Sequence, residues 1–148
     1  MTKNGITIRQ SILIAKEKEL VWDYTQNYDN RTQWDSSIIE TTVLHTKPHR
    51  VVRLKTKGNT SMIFTYKLEE RPNKAILVAK EITSNLILSA GGSWIYEDQN
   101  GQTLWTQINT ITFKNNFLLK FLLPLYQYIF TRMTKKSMQR AKQEIEKQ

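Results

Sequence analysis

Residues 89–113 read SAGGSWIYEDQNGQTLWTQINTITF, and they decide the fold. Apolar and polar residues alternate on both sides of Asn100-Gly101. An Asn-Gly pair between two alternating runs is the strongest short-range sign of a β-hairpin. The stretch therefore predicts two antiparallel strands, Ser89–Glu97 and Gln102–Phe113.

Five further runs upstream have the alternation or the β-branched composition of strands. Turn signals such as Lys57-Gly58-Asn59 and Arg71-Pro72-Asn73 separate the later runs. Consecutive strands joined by short turns form an antiparallel sheet. Between the first and second runs, the spacing changes to that of two helices, over 16–24 and 27–35, with Asp29 or Asn30 as the N-cap of the second. The five predicted strands are Ile6–Ile14, Ile38–His45, Val51–Lys55, Ser61–Leu68 and Lys74–Thr83.

The chain closes with one long predicted helix, which begins at Asn116 or Pro124 and ends near Glu146. Apolar and small residues recur along it at steps of three and four, from Leu122 to Ile145. Such a helix must bury its apolar stripe, and the concave face of the sheet is the only large surface available. The order β-α-α-β(6)-α thus predicts an α+β domain with a sheet of six to seven strands.

Length and composition favour a single domain over residues 1–148. The chain has no cysteine, which excludes disulfides, zinc–cysteine sites and thiol catalysis. Its net charge of +9 favours an acidic partner without choosing between nucleic acid, an anionic membrane and an acidic ligand. No secretory signal precedes the first strand, so a cytoplasmic protein is expected. The apolar stretch 117–130 is too short and too interrupted to span a bilayer.

The ordered set of elements resembles the START-like (SRPBCC) superfamily, and within it the polyketide cyclase/dehydrase-type families. The resemblance rests on Ile12-Leu13-Ile14-Ala15 before Val21-Trp22, on Trp34 before Ile38-Ile39, on Gly91-Gly92 and Gly101-Gln102-Thr103 around the last hairpin, and on the long final helix. It implies a helix-grip fold, in which a curved antiparallel sheet wraps the last helix around a cavity. It also implies that an apolar or amphipathic small molecule binds in that cavity. Fold alone does not fix function, since the superfamily contains both carriers and enzymes.

Residues that could carry catalysis are sparse. The common nucleophile, phosphate-binding and zinc motifs do not occur in the sequence. The two histidines, His45 and His49, flank Lys47-Pro48 and are expected to face solvent. Glu81 could point into the concave face and act as a general acid, but a surface position beside Lys80 is favoured. We therefore expect no metal and no cofactor, and we nominate no catalytic residue.

Aromatic residues give the stronger signal for a binding site. Trp105 shares a strand face with Gln107 and Asn109, and the apolar residues of that strand barely favour one face over the other. If this face is inward, two buried amides need partners, which a wet cavity or the polar end of a ligand would supply. Since side-chain direction alternates, the three residues point inward or outward together. The candidate ligand-binding residues are Trp34, Phe64, Tyr66, Trp94, Trp105, Gln107 and Asn109.

The last helix allows several interpretations, because residues 117–130 are apolar almost all round. One side suits the core and the cavity wall. The remainder could meet a second subunit, a membrane or the loops over the cavity. We expect the sheet and a possible dimer contact to cover it, leaving the basic residues 132–142 as a solvated face with at most weak membrane contact. The protein would then be a monomer or a homodimer.

Three functions remain open. The favoured one is non-catalytic binding or carriage of a hydrophobic or amphipathic molecule, such as a lipid or a polyketide-like ring. The second is a cyclase or dehydratase that acts on such a molecule in the same cavity. The third is an interaction protein that docks on acidic or membrane surfaces. A specific nucleic-acid reader is not expected, because the aromatic residues lie mainly at buried positions.

Overall fold

A computed structural model describes residues 4–148, and they form a curved antiparallel sheet with a long C-terminal helix, the helix-grip arrangement. A 3-10 turn, Tyr28–Asn30, joins the two short helices. The first helix is thus α1 and the second is the single turn α2. The elements in chain order are β1 (Gly5–Ile14), α1 (Lys18–Gln26), α2 (Arg31–Trp34), β2 (Ile38–His45), β3 (Val51–Thr56), β4 (Thr60–Glu70), β5 (Lys74–Thr83), β6 (Ile87–Gln99), β7 (Gln102–Phe113) and α3 (Phe117–Glu146).

The sheet has the order β1-β7-β6-β5-β4-β3-β2, and all neighbours are antiparallel. The predicted hairpin joins β6 to β7, with Gln99 paired to Gln102. Asn100 and Gly101 both have positive φ angles, 56° and 86°, which is what a two-residue type I′ turn requires. The first strand, β1, pairs along its whole length with the last strand, β7.

Helix α3 lies against the concave face. Asn116 caps its first turn by accepting a hydrogen bond from the Leu118 backbone N–H, and Pro124 lies inside the helix. Farther along, Met138, Ala141 and Ile145 are buried in the main core, while Leu119 joins Phe113 and two β1 isoleucines in a smaller cluster. The helix therefore closes the core along its length.

The sheet covers only one side of the first half of α3. Leu123, Tyr126 and Phe130 pack inward, but seven large apolar side chains on the other side are exposed. The expectation that the sheet covers residues 117–130 thus holds for one side only. Within residues 4–148, no helix has the length and apolar character needed to cross a bilayer.

Buried hydroxyl groups form a hydrogen-bonded network between α1, β4 and β6. The Tyr66 hydroxyl donates to Gln26 Oε1 at 2.6 Å, and the Gln26 amide donates to the Tyr96 hydroxyl at 3.0 Å. Thr25 and Tyr28 complete the network at 2.7 Å from Tyr96 and Tyr66 respectively. Burial raises the pKa of Tyr66 well above its ordinary value, and burial raises that of Tyr96 as well. Both hydroxyls therefore stay protonated at pH values where an unfolded tyrosine ionises.

Truncating Ile145 tests the packing of α3. Ile145→Ala should lower the free energy of unfolding by about 2–4 kcal/mol, since this side chain is fully buried in the core. The matched control is Leu125→Ala on the same helix, where the side chain is 51% exposed and the expected loss is below about 0.5 kcal/mol. Urea denaturation measures both. Equal losses would show that the second half of the helix does not pack on the sheet.

Stability should depend on alkaline pH through the buried tyrosines. Because the pKa of Tyr66 and of Tyr96 is higher folded than unfolded, the free energy of unfolding should be steady below about pH 10 and fall above it, by up to about 1.4 kcal/mol per pH unit for each tyrosine. Tyr66→Phe and Tyr96→Phe should each reduce this slope, as measured by urea denaturation between pH 8 and 11. Tyr128→Phe, at an exposed position, should not. Slopes that are the same in all four proteins would contradict the assignment.

Candidate functional site

A cavity of about 630 Å³ lies between the sheet, α2 and α3. Its volume falls in the range of small-molecule sites. Strands β3 to β7 form the main wall, and α3 adds Phe130, Met133, Thr134 and Ser137. The lining is mostly apolar in area, with polar groups near α2 and β7, on α3, and around the β3–β4 turn, where Lys57 lies. That composition suits a ligand with an apolar body and one polar end.

The structure places the seven candidate residues at two depths. Both Tyr66 and Trp105 are buried in the core beneath the cavity and do not line it. Trp105 is fully buried and packs edge-on against two other indoles, with ring centroids 5.6 Å from Trp34 and 5.5 Å from Trp94. Tyr66 is held in the hydroxyl network by Gln26. The residues that do line the cavity are Trp34, Phe64, Trp94, Gln107 and Asn109.

The inward face of β7 is the one that carries Trp105, Gln107 and Asn109. The sequence left the two faces of this strand nearly tied. Packing across the β6–β7 hairpin separates them, because Trp105 pairs with Tyr96 and their rings stack at 6.2 Å. On the opposite face, the Thr106 hydroxyl lies 2.7 Å from that of Ser11 on β1.

One hydrogen bond joins two side-chain amides of β7 at the cavity wall. The Trp94 indole N–H donates to Asn109 Oδ1 at 3.4 Å, and the Asn109 amide donates to Gln107 Oε1 at 3.0 Å. Gly92 makes room for this arrangement, since a Cβ there would lie 2.6 Å from Asn109 Oδ1. Within residues 4–148, Gln107 Nε2 forms no hydrogen bond, and it is a donor available to a ligand.

Arg31 is a cavity residue that the sequence analysis missed. Its Nε donates to Asp35 Oδ2 at 2.9 Å, and its guanidinium carbon lies 4.9 Å from the ring centres of both Trp34 and Trp94. Ser37 occupies the other carboxylate oxygen through its backbone N–H and its hydroxyl. The two terminal nitrogens of Arg31 bind no acceptor in the described part of the chain.

The Arg31 guanidinium stays protonated and positively charged although it is buried. Burial is the largest single influence and by itself would lower the pKa of this guanidinium, but the charge and hydrogen bond of Asp35 together with Tyr28 and Tyr66 outweigh it, and the pKa is raised. The neighbouring indole rings of Trp34 and Trp94 add cation–π attraction. Arg31 therefore presents a fixed planar donor to the cavity.

A sequence signal for Arg31 did exist. Arg31 and Asp35 are four residues apart and enclose Trp34, which was already a candidate cavity residue. Of the two predicted N-caps of this helix, Asp29 and Asn30, Asn30 occupies the N-cap position of α2. The Asn30 side chain makes no capping hydrogen bond, and Asn27 caps the preceding 3-10 turn by accepting a hydrogen bond from the Asp29 backbone N–H.

Free acids and bases are scarce around the cavity. The carboxylate of Asp35 is occupied on both oxygens, and the Tyr28 hydroxyl lies 2.7 Å from that of Tyr66. Glu81, His45 and His49 are exposed, away from the lining. Over residues 4–148, no group of three acidic or histidine side chains is arranged to hold a metal ion. The site offers hydrogen-bond donors and apolar surface rather than a ready general base.

Solved structures with this fold include known enzymes. The Zhui aromatase/cyclase from Streptomyces sp. R1128 superposes with a TM-score of 0.82 at 12% identity, over 96% of this chain and 94% of that one. A protein from Thermus thermophilus has the same TM-score at 10% identity, over 95% and 97%. A START superfamily protein from Mycobacterium smegmatis has a TM-score of 0.77 at 10% identity, over 95% and 97%. At such identities the likeness shows the fold.

Family membership comes from the sequence itself. No curated protein matches the chain. The family described as polyketide cyclase / dehydrase and lipid transport matches residues 5–146, which is nearly the whole length and spans every element from β1 to α3. The chain therefore belongs to the polyketide cyclase/dehydrase and lipid transport family.

Proposed function

We propose that the protein binds and carries a hydrophobic or amphipathic small molecule that has an uncharged oxygen at one end. The observation that carries this proposal is Arg31, which lines a mostly apolar cavity and whose two terminal nitrogens bind no acceptor in the described part of the chain. Ligand sites typically combine an apolar lining with a few placed polar groups. The cavity of this protein has that combination.

The apolar part of the lining suits a ring or an acyl chain. Leu54, Met62 and Phe64 face the cavity from β3 and β4, and Leu77 faces it from β5. Trp94 adds an aromatic surface beside Arg31. Burying apolar surface stabilises a complex by about 25 cal/mol per Å². A polyketide-like ring or a lipid chain would fit this surface.

The polar groups of the cavity lining determine which kind of ligand oxygen binds best. Arg31 and Asp35 form a buried ion pair with no net charge, so the pair does not demand a fully charged ligand. Its free donors, together with Gln107 Nε2, need acceptors. A carbonyl or hydroxyl oxygen would satisfy them without bringing a second charge into the cavity. We therefore favour a ketone, phenol, ester or similar end group.

A ring-closing enzyme is the second candidate. The donors of Arg31 would stabilise negative charge that develops on a carbonyl oxygen, and the Streptomyces neighbour with this fold is an aromatase/cyclase. Such a reaction also needs a base to remove a proton from carbon. Asp35 and Tyr28, the residues best placed for that, are engaged in other hydrogen bonds. The carrier function therefore has the stronger support.

A matched pair of ligands tests the proposal. 2-Acetylnaphthalene has a carbonyl that 2-ethylnaphthalene lacks, and the two have similar size. Titration followed by tryptophan fluorescence should show the ketone binding at least about tenfold more tightly, because a hydrogen bond from a charged donor contributes about 1.5–3 kcal/mol. Arg31→Lys keeps the charge but loses the planar fork, and it should reduce this preference to about threefold or less.

Filling the cavity provides the control. Ala90 lines the cavity, and its neighbour Ser89 points to the other face of β6 and is exposed. Ala90→Phe should abolish binding of both naphthalenes, and Ser89→Phe should leave it unchanged. Equal affinity of the wild type for the two ligands would contradict the role of Arg31. Recovery of a chemically altered molecule after incubation with a polyketide-like ketone would favour the cyclase instead.

A further inference from the structure

The exposed side of α3 carries a large apolar surface that the rest of the described chain does not cover. We call it the docking face, and Phe117 and Phe121 are its most exposed members, at 75% and 70%. Isolated apolar residues are common on protein surfaces, but a contiguous patch of this kind marks an interaction site. The docking face consists of Phe117, Leu118, Phe121, Leu122, Leu125, Tyr128 and Ile129.

The docking face is continuous. With 3.6 residues per turn, its seven members fall within an arc of about 140° of the helix circumference. The opposite side of the same turns carries Leu119, Leu123 and Phe130, which pack on the sheet or line the cavity. The first half of α3 thus has two separate apolar sides, only one of which the fold uses.

The residues before and after the docking face in the sequence include positively charged side chains but no negatively charged ones. The sequence has no Asp or Glu between Asp98 and Glu144, whereas seven Lys or Arg residues lie in that interval. Arg132, Lys135, Lys136 and Arg140 continue the same arc of the helix beyond the apolar part. One side of α3 is therefore apolar in its first half and basic in its second.

We propose that the docking face binds the surface of an anionic lipid bilayer. The apolar half would lie below the headgroups and the basic half would lie against them, as in interfacial amphipathic helices. A second copy of the chain fits this surface less well, because the basic residues of two copies would repel each other with no carboxylate nearby on the same arc. The sequence-based expectation of weak membrane contact depended on a covered stretch 117–130, and the structure leaves one side of it uncovered.

Docking would bring the cavity to the bilayer. Phe130 and Met133 line the cavity from the side of α3 that adjoins Ile129 of the docking face. A carrier that held its ligand there would exchange it next to the lipid. The docking proposal stands on the exposed residues alone, and it does not require the ligand-binding proposal to be correct.

Co-sedimentation with vesicles tests the docking face. The wild type should bind vesicles of phosphatidylcholine and phosphatidylglycerol far better than vesicles of phosphatidylcholine alone, and part of this binding should persist at high salt because apolar insertion is not screened. Phe121→Ser with Leu125→Ser should weaken binding at least about a hundredfold. The matched control is Ile39→Ser with Val43→Ser, two exposed apolar residues on β2, and it should bind like the wild type.

A second pair of variants tests the charges. Lys135→Gln with Lys136→Gln should weaken binding to the anionic vesicles about tenfold or more. Lys67→Gln with Lys80→Gln removes the same net charge from exposed positions on β4 and β5, and it should have little effect. An equal effect of the two pairs would mean that overall charge, rather than this face, attracts the protein, and would overturn the proposal.

The absence of cysteine allows a direct probe of insertion. Phe121→Cys labelled with an environment-sensitive fluorophore should shift its emission to the blue on anionic vesicles, whereas the same label at Ile39→Cys should not. Light scattering tests the alternative that a second copy of the chain, rather than a bilayer, covers the docking face. A dimer in solution that Phe121→Ser with Leu125→Ser dissociates, with no vesicle binding by the wild type, would overturn the proposal and assign this face to a second copy.

Discussion

Burial of the Trp105 indole is the constraint on which the rest of the structure depends. Trp105 is fully buried and contacts Trp34 at the end of α2, Trp94 on β6 and the stacked ring of Tyr96. These contacts join three distant parts of the chain into one cluster. Aromatic pairs of this kind contribute about 0.5–1.5 kcal/mol beyond their buried area. The cluster also holds α2 in place, and with it Arg31, whose guanidinium lies against two of the indoles.

Side-chain size along β6 determines where the core stops and the cavity begins. The inward positions of this strand are Ala90, Gly92, Trp94 and Tyr96, two small residues followed by two large ones. Opposite Tyr96, the indole of Trp105 is fully buried, and it also packs against Trp94. Opposite Gly92, only the Asn109 amide extends toward the open space. A single strand therefore borders the packed core at one end and the cavity at the other.

Much of this architecture could be predicted because it depends on local periodicity. Strands such as Lys74–Thr83 and Gln102–Phe113 have the predicted bounds, and the last hairpin turns at Asn100-Gly101 as predicted, although its first strand extends over Ile87–Gln99 instead of Ser89–Glu97. The depth of a side chain is a different matter. Period-two alternation shows which face of the sheet a side chain occupies, but it does not show whether that side chain packs in the core or lines the cavity. Tyr66 and Trp105 were therefore predicted to line the cavity, although both are buried in the core. Arg31 was missed because an arginine on a short helix looks like a surface residue until its aromatic neighbours are placed.

The pairing of β1 with β7 has a consequence for the order in which the protein folds during its synthesis. The first strand emerges from the ribosome early, but its partner in the sheet is the last strand, and α3 follows later still. Until then, the concave face has no helix against it and the edge of β1 has no neighbour. Unpaired edges and exposed apolar faces invite aggregation. Nearly the whole chain must therefore be translated before its two ends can meet, which makes the nascent chain more dependent on chaperones than a fold built from neighbouring segments.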